Sequence, residues 1–205
     1  MKNAALFFSL LMLISGCATA PLPELTIKPA SQYLLTQDKD GLKIAIDPFL
    51  EPERQKEFFR DNLLAKGILP VLIIVENKSG GSVFYLQKDQ ASVSFSEKES
   101  AGSVVTSGRS LTYESPDKGV KAAFYVSPLI VASIWQSSEN KREATTQIMV
   151  NNELRERTLN PNESQHGFLF FKLAGENIGQ DVSAVNLKVL NIKSKETMLF
   201  DFSIK

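Results

Sequence analysis

The chain predicts a mainly all-β protein, an antiparallel β-sandwich with one or two short helices in its connections. Three observations carry this expectation. Apolar and polar residues alternate over several short windows, as in strands with one buried face. Clusters of turn-forming residues separate those windows, and the strand-helix-strand rhythm of a parallel sheet does not occur.

Taken in order, Leu42, Ile44 and Ile46 alternate with Lys43, Ala45 and Asp47 behind the tight-turn dipeptide Asp40-Gly41. Asp38-Lys39-Asp40-Gly41 has the opening of a calcium loop, but no glutamate follows at the required spacing, so the segment predicts a turn and no metal. Residues 51–65 change character. Pro52 suits a first helical turn, Glu51 and Glu53 suit its positive end, and Phe58, Phe59, Leu63 and Leu64 approximate one apolar face before Gly67. This predicts a short helix lying over a sheet edge. The acids Glu51, Glu53, Glu57 and Asp61 interleave with Arg54, Lys56 and Arg60, which reads as a solvated face with intrahelical pairs rather than a carboxylate site.

Residues 68–75 are almost wholly apolar and β-branched, as expected of a strand buried on both faces. Asn77-Lys78-Ser79-Gly80-Gly81 supplies turn chemistry and Val83-Phe84-Tyr85-Leu86 a following strand, so the pair predicts a hairpin. Ala91, Val93 and Phe95 continue the alternation. Residues 97–117 are rich in Ser, Gly and charge and read as a loop with one strand around Ser103 to Thr106. Residues 122–135 carry no charge. Residues 141–150 look helical and Asn151-Asn152 would end that helix. Residues 154–159 return to strand, Asn160-Pro161-Asn162 turns, and residues 167–171 form an aromatic strand. Val185, Leu187 and Val189, then Met198, Phe200, Phe202 and Ile204, predict a terminal hairpin.

The leader has its own pattern. Lys2 gives a positive start, residues 4–14 form an apolar run, and Ser15-Gly16-Cys17 closes it with the only cysteine of the chain. That order is a secretory signal, and the run is well short of the roughly 20 apolar residues that span a bilayer. Ile14-Ser15-Gly16-Cys17 resembles the lipobox of bacterial lipoproteins. The resemblance implies cleavage before Cys17 and a lipid on it, and Ala18 in place of an aspartate implies the outer membrane, with the folded part facing the periplasm. Several acyl chains, at about 0.8 kcal/mol per buried methylene, would make such an anchor effectively permanent.

Without residues 1–16 the chain keeps 189 of 205 residues, with 22 basic and 23 acidic side chains. This balance argues against nucleic-acid binding, which needs a basic field, and gives no polybasic lipid patch. With Cys17 acylated, no internal disulfide can form. Residues 18–31, with Pro21, Pro23 and Pro29, read as a flexible tether of about 45 Å reach. Residues 32–205 then form the sandwich domain, with an insertion at about 97–153. Ile68-Leu69-Pro70-Val71, the Asn77 turn and residues 161–171 are similar to uncharacterised bacterial lipoproteins and secreted domains of immunoglobulin-like form. That similarity implies an immunoglobulin-like sandwich over residues 42–93 and 154–205.

Catalytic patterns fail one after another. Ser115-Pro116-Asp117-Lys118 and Ser138-Glu139-Asn140-Lys141 have Ser-x-x-Lys spacing, but neither comes with Ser-Asp-Asn and Lys-Thr-Gly partners, and Pro116 disfavours a helix at the first. His166 is the only histidine and reads as a surface turn residue. Gly80-Gly81, Gly102 and Gly108 lack the strand-to-helix context of a phosphate loop. The sequence therefore predicts no enzyme, no cofactor and no metal. Residues 122–135 are the candidate surface: Phe124, Tyr125, Leu129, Ile130 and Trp135 would contact a partner or membrane if left outside the core, although covering an open end of the sandwich is the preferred reading. The functional expectation is a membrane-anchored envelope lipoprotein that binds an envelope protein or helps assemble a complex. Its alternatives are a carrier or sensor of an apolar small molecule, with a pocket under residues 97–153, and a serine hydrolase.

Overall fold

Asp40 and Gly41 both adopt left-handed backbone, with φ of 52° and 78°. They close a two-residue hairpin between β1 (Leu35–Lys39) and β2 (Leu42–Pro48), with Lys39 opposite Leu42. The computed structural model describes residues 24–95, 112–114, 121–129, 139–173 and 182–204. Strand β3 (Ile68–Asn77) lies antiparallel between β2 and β9 (Ser164–Lys172), and β1-β2-β3-β9 form the first sheet.

The second sheet is built on β10 (Val182–Asn191). On one edge β10 pairs with β11 (Thr197–Ser203), the expected terminal hairpin. Along its other edge lie, end to end, β5 (Ser92–Phe95) and β4 (Phe84–Leu86). From β5 the sheet continues through β7 (Lys121–Phe124) to β6 (Thr112–Glu114), and from β4 to β8 (Thr158–Leu159). All strand pairs are antiparallel, and the fold is a mainly β two-sheet sandwich. The segment read as an insertion contributes β6 and β7 to this sheet and a helix, α2 (Glu139–Asn151).

Alternate residues of β3 enter two separate cores. Leu69, Val71, Ile73 and Val75 join the core between the sheets, with Leu169 and Phe171 of β9 and Val185, Leu187 and Phe200 of the second sheet. Ile68, Leu72 and Ile74 point the other way, into an outer core with Phe168 and Phe170. Helix α1 (Pro52–Phe59) brings Phe58 and Phe59 to that outer core, and α2 brings Ile148 and Met149. The short helix thus covers a sheet face, where the sequence suggested an edge. The reason is that both β3 and β9 carry apolar residues outward, and an uncovered face of that kind would leave a large apolar area in water. Phe49, Phe58, Phe59 and Phe168 pack edge to face, with centroids 4.9 Å apart for Phe49–Phe168 and 5.1 Å for Phe59–Phe168. Gln55, fully buried, fixes the helix: its Nε2 donates to the Phe49 carbonyl and its Oε1 accepts the Leu64 N–H at 2.7 Å.

The predicted hairpin of residues 68–86 is not formed. β3 belongs to the first sheet and β4 to the second, and residues 78–83 turn a corner between them. Asn77 holds the corner. Its fully buried amide donates to the carbonyls of Ser82 at 2.8 Å and Leu159 at 3.0 Å, and its oxygen accepts from the N–H and hydroxyl of Ser79 at 3.0 and 2.6 Å. Every hydrogen-bonding position of that side chain is occupied. The β1–β2 turn closes on the same corner: the Lys78 N–H donates to Gly41 O at 2.7 Å, and a Cβ on Gly41 would meet Ser79 Cα at 2.8 Å.

The tether also ends earlier than its composition implied. Leu25, Ile27 and Tyr33 pack half-buried against the outer core, Ala30 is fully buried, and the Ala30 N–H donates to the Glu76 carboxylate at 2.9 Å. Leu25 and Ile27, two residues apart, point to the sheet together with Ala30 and Tyr33. On the far side, β1 runs beside β11, and Lys39 and Gln37 donate to the outward carbonyls of Leu199 and Asp201. Lys39 lies 5.0 Å over the Phe200 ring.

Three outcomes follow from these contacts. Asn77→Ala strips a partner from three backbone groups, two of them buried, and should cost about 3 kcal/mol in denaturant unfolding. The buried Thr145 hydroxyl of α2 has no hydrogen-bond partner among the described residues, so Thr145→Val should leave stability equal or raise it by about 1 kcal/mol. Removing both edge donors, in Lys39→Ala with Gln37→Ala, should increase concentration-dependent self-association in sedimentation relative to the parent, because the β11 carbonyls become free to pair.

Candidate functional site

The candidate surface begins where β7 leaves its sheet. Beyond Phe124, which pairs with Ser92, Tyr125 makes an isolated bridge to Phe171 of β9, and the Val126 N–H donates to Phe170 O at 2.7 Å. The chain thereby crosses from the second sheet to the free edge of β9. Residues 152–154 occupy the next stretch of the same edge: Phe168 N–H donates to Asn152 O at 2.8 Å, and Leu154 N–H donates to Phe168 O at 2.9 Å. The approach is so close that a Cβ on Gly167 would lie 2.5 Å from Leu154 Cα, which explains glycine at that position.

At this crossing three polar side chains meet. Lys88, in a 3-10 turn between β4 and β5, places its ammonium 3.0 Å from Glu153 Oε1. The Tyr125 hydroxyl donates to the same carboxylate oxygen, and the Lys88 ammonium stands 5.0 Å over the Tyr125 ring. Only 13 % of the Lys88 side chain and 21 % of the Glu153 side chain are exposed. Each charge has its counter-charge and the hydroxyl has its acceptor, so the cluster forms a compensated brace between the sheets.

Around this brace the predicted contact residues separate. Tyr125 is half-buried against the inter-sheet core, whereas Leu129 is 67 % exposed. Phe124 ends β7; Ile130, Trp135 and Cys17 lie outside the described residues. The sequence reading passed over Lys88 and Glu153, which are 65 positions apart and have no local pattern. His166 sits in β9 opposite Ile74 and is exposed, so it belongs to a strand and not to a turn. Of the two Ser-x-x-Lys matches, residues 115–118 and Ser138 lie outside the described residues, and Glu139, Asn140 and Lys141 open α2.

Near α1, Asp47, Glu53 and Asp61 each have a basic partner. Asp47 holds Arg54 in a two-pronged contact, one prong 2.8 Å long, with the guanidinium 3.7 Å over the Phe49 ring. The hydrogen bond to Asp47 raises the Arg54 pKa above its ordinary value. Asp61 pairs with Lys66 at 2.7 Å, and Glu53–Lys56, at 3.9 Å, is an intrahelical pair of the kind that the spacing suggested. Among the described residues no group of three or more His, Cys, Asp or Glu could hold a metal ion, and no helix is long and apolar enough to cross a membrane.

No protein-family model, no curated protein and no solved structure matches this chain.

The brace and the turn before β9 each yield a measurement. Lys88→Met and Glu153→Gln should each cost about 2 kcal/mol, and the double variant no more than either single one; simply additive losses would mean the charges are not coupled. In the turn, Glu163 Oε2 accepts the Asn160 N–H at 2.9 Å, and this bond holds its carboxyl below the ordinary glutamate range. A folded-state pKa below the unfolded one stabilises above the unfolded value and is lost as pH falls through the folded one. Thermal melts should therefore show a destabilisation between about pH 5 and pH 3 that is smaller in Glu163→Gln.

Proposed function

We propose that the protein is a non-enzymatic lipoprotein of the bacterial envelope, acylated on Cys17 and acting as a binding or assembly module for another envelope protein. The observation that carries this is the leader: a positive start, an apolar run too short to span a bilayer, and Ser15-Gly16 directly before the single cysteine. A thiol at that position serves as an attachment point, since the only histidine, His166, is 149 positions away in the chain and no nucleophile-base pair accompanies it. The near-neutral charge is consistent with a protein that works beside a membrane without an electrostatic hold on lipid or nucleic acid. The outer membrane, with the sandwich on the periplasmic side, is the address that Ala18 favours by resemblance. Immunoglobulin-like sandwiches commonly serve as interaction modules, and this part of the reading rests on analogy of fold.

In this reading the Lys88–Tyr125–Glu153 cluster, whose polar side chains satisfy one another, is structural. Leu129, large and exposed on the connection after β7, marks the side from which a partner would approach.

Cys17→Ser tests the anchor. In the parent, intact mass should show loss of residues 1–16 and a lipid adduct, with the protein in the membrane fraction. The variant should keep its leader or appear without the adduct. Equal membrane partitioning of both, with an unprocessed N-terminus in each, would overturn the reading.

A further inference from the structure

We propose that residues 25–33 form a releasable strap that sets how far the domain stands from the bilayer, an inference that rests on the lipid-anchor reading. The strap lies on the outer face of the first sheet. Its 3-10 turn, Ala30–Gln32, rests against β2 and β3, over the part of the outer core that includes Ala45 and Ile74. It holds by three half-buried side chains, Leu25, Ile27 and Tyr33, and by one buried residue, Ala30. Glu24, Thr26, Lys28, Pro29, Ser31 and Gln32 alternate with them on the exposed side.

The strap is not a strand. Among the described residues a single hydrogen bond joins its backbone to the sheets, from the Ala30 N–H to the Glu76 carboxylate at 2.9 Å. Its other bonds are internal: Gln32 N–H to Pro29 O, Tyr33 N–H to Ala30 O, and Lys28 N–H to the Tyr33 hydroxyl. β3 beneath it is paired on both edges from Val71 to Glu76, with β2 and with β9. A segment with few buried contacts and one external hydrogen bond opens at a much lower free energy than the sheet it covers.

Position gives the opening a consequence. With the strap docked, residues 18–24 alone link Cys17 to the domain, a reach of about 23 Å at about 3.3 Å per residue. With it lifted, residues 18–34 do so, a reach of about 56 Å. The docked domain is confined to the membrane surface, and the lifted one can meet a partner several tens of ångströms away. Lifting also uncovers apolar surface on the first sheet that such a partner could take.

The test uses the full-length protein in lipid vesicles and a water-soluble maleimide. With the Cys17 sulfur acylated, Ala30→Cys supplies the only free thiol, and Val185→Cys in the inter-sheet core reports unfolding of the whole domain. Ala30→Cys should react at least about tenfold faster than Val185→Cys. Adding Glu76→Ala should speed the first several-fold and leave the second unchanged. Ile27→Cys gives the same comparison between the two backgrounds if Ala30→Cys does not fold. Equal rates at the strap and core thiols, both unmoved by Glu76→Ala, would overturn the strap. Labelling of the parent at Cys17 itself would instead remove the anchor, and with it the stand-off role, whatever the strap does.

Discussion

A strand whose side chains must leave water on both of its faces needs a cover on each side, and β3 is such a strand. One face meets the second sheet, through Leu69, Val71, Ile73 and Val75. The other, through Ile68, Leu72 and Ile74, cannot use a second sheet and is covered by pieces: α1, α2 and the N-terminal strap. Large rings make that possible with little backbone. Phe49, Phe58, Phe59, Phe168 and Phe170 fill the outer layer, and each ring pair that meets edge to face adds about 1 kcal/mol to the area it removes from water. Backbone left between the pieces is satisfied by Gln55, buried among them with both ends of its amide engaged. The third layer also decides where the N-terminus goes: the chain reaches β1 across the outer core, so any anchor upstream pulls on that face.

At the borders of the apolar inter-sheet core, polar contacts link the two sheets. At the corner after β3 the Asn77 amide ties β3, the 78–83 turn and β8. Along the β1–β11 side Lys39 and Gln37 reach from one sheet to the backbone of the other. At the β9 side the Lys88–Tyr125–Glu153 brace holds the crossing segment. Apolar packing presses the sheets together without fixing their offset, whereas a buried amide or ion pair tolerates little displacement before it is left unsatisfied. The Asn77 amide and the Lys88–Glu153 pair set register at two borders in this way, and the exposed Lys39 and Gln37 bonds link the sheets at the third.

Elements whose pattern is local were legible in the sequence. The alternation in β2, β10 and β11, the apolar run of β3 and the aromatic run of β9 each specified a strand, and Asp40-Gly41 specified a turn, while β1 before it carried no readable pattern. What could not be read was the choice of partner. Residues 77–81 have the same chemistry in a hairpin as in a corner, and what separates the two is the bond from Asn77 to Leu159 O, made by residues 82 positions apart. Phe58 and Phe59 announced an apolar helix face but not the sheet face below it, which depends on Phe168. Leu25 and Ile27 were too few to outweigh three prolines in the tether. The same distance problem hid Lys88 and Glu153, each of which looks like an ordinary surface charge until the fold half-buries both together.

The proposed membrane role and the fold meet in the outer core, because the strap covers it and leads back in the chain to Cys17. Adjacent residues of β9 allow a direct test of that double burial. Phe168 faces the outer core and Leu169 the inter-sheet core, and both are fully buried. Denaturant unfolding of Phe168→Ala and Leu169→Ala, each in the parent background, should show comparable losses of about 3 kcal/mol or more. A large loss for Leu169→Ala beside a loss under about 1 kcal/mol for Phe168→Ala would mean that the outer face is an ordinary solvent face and would contradict the account.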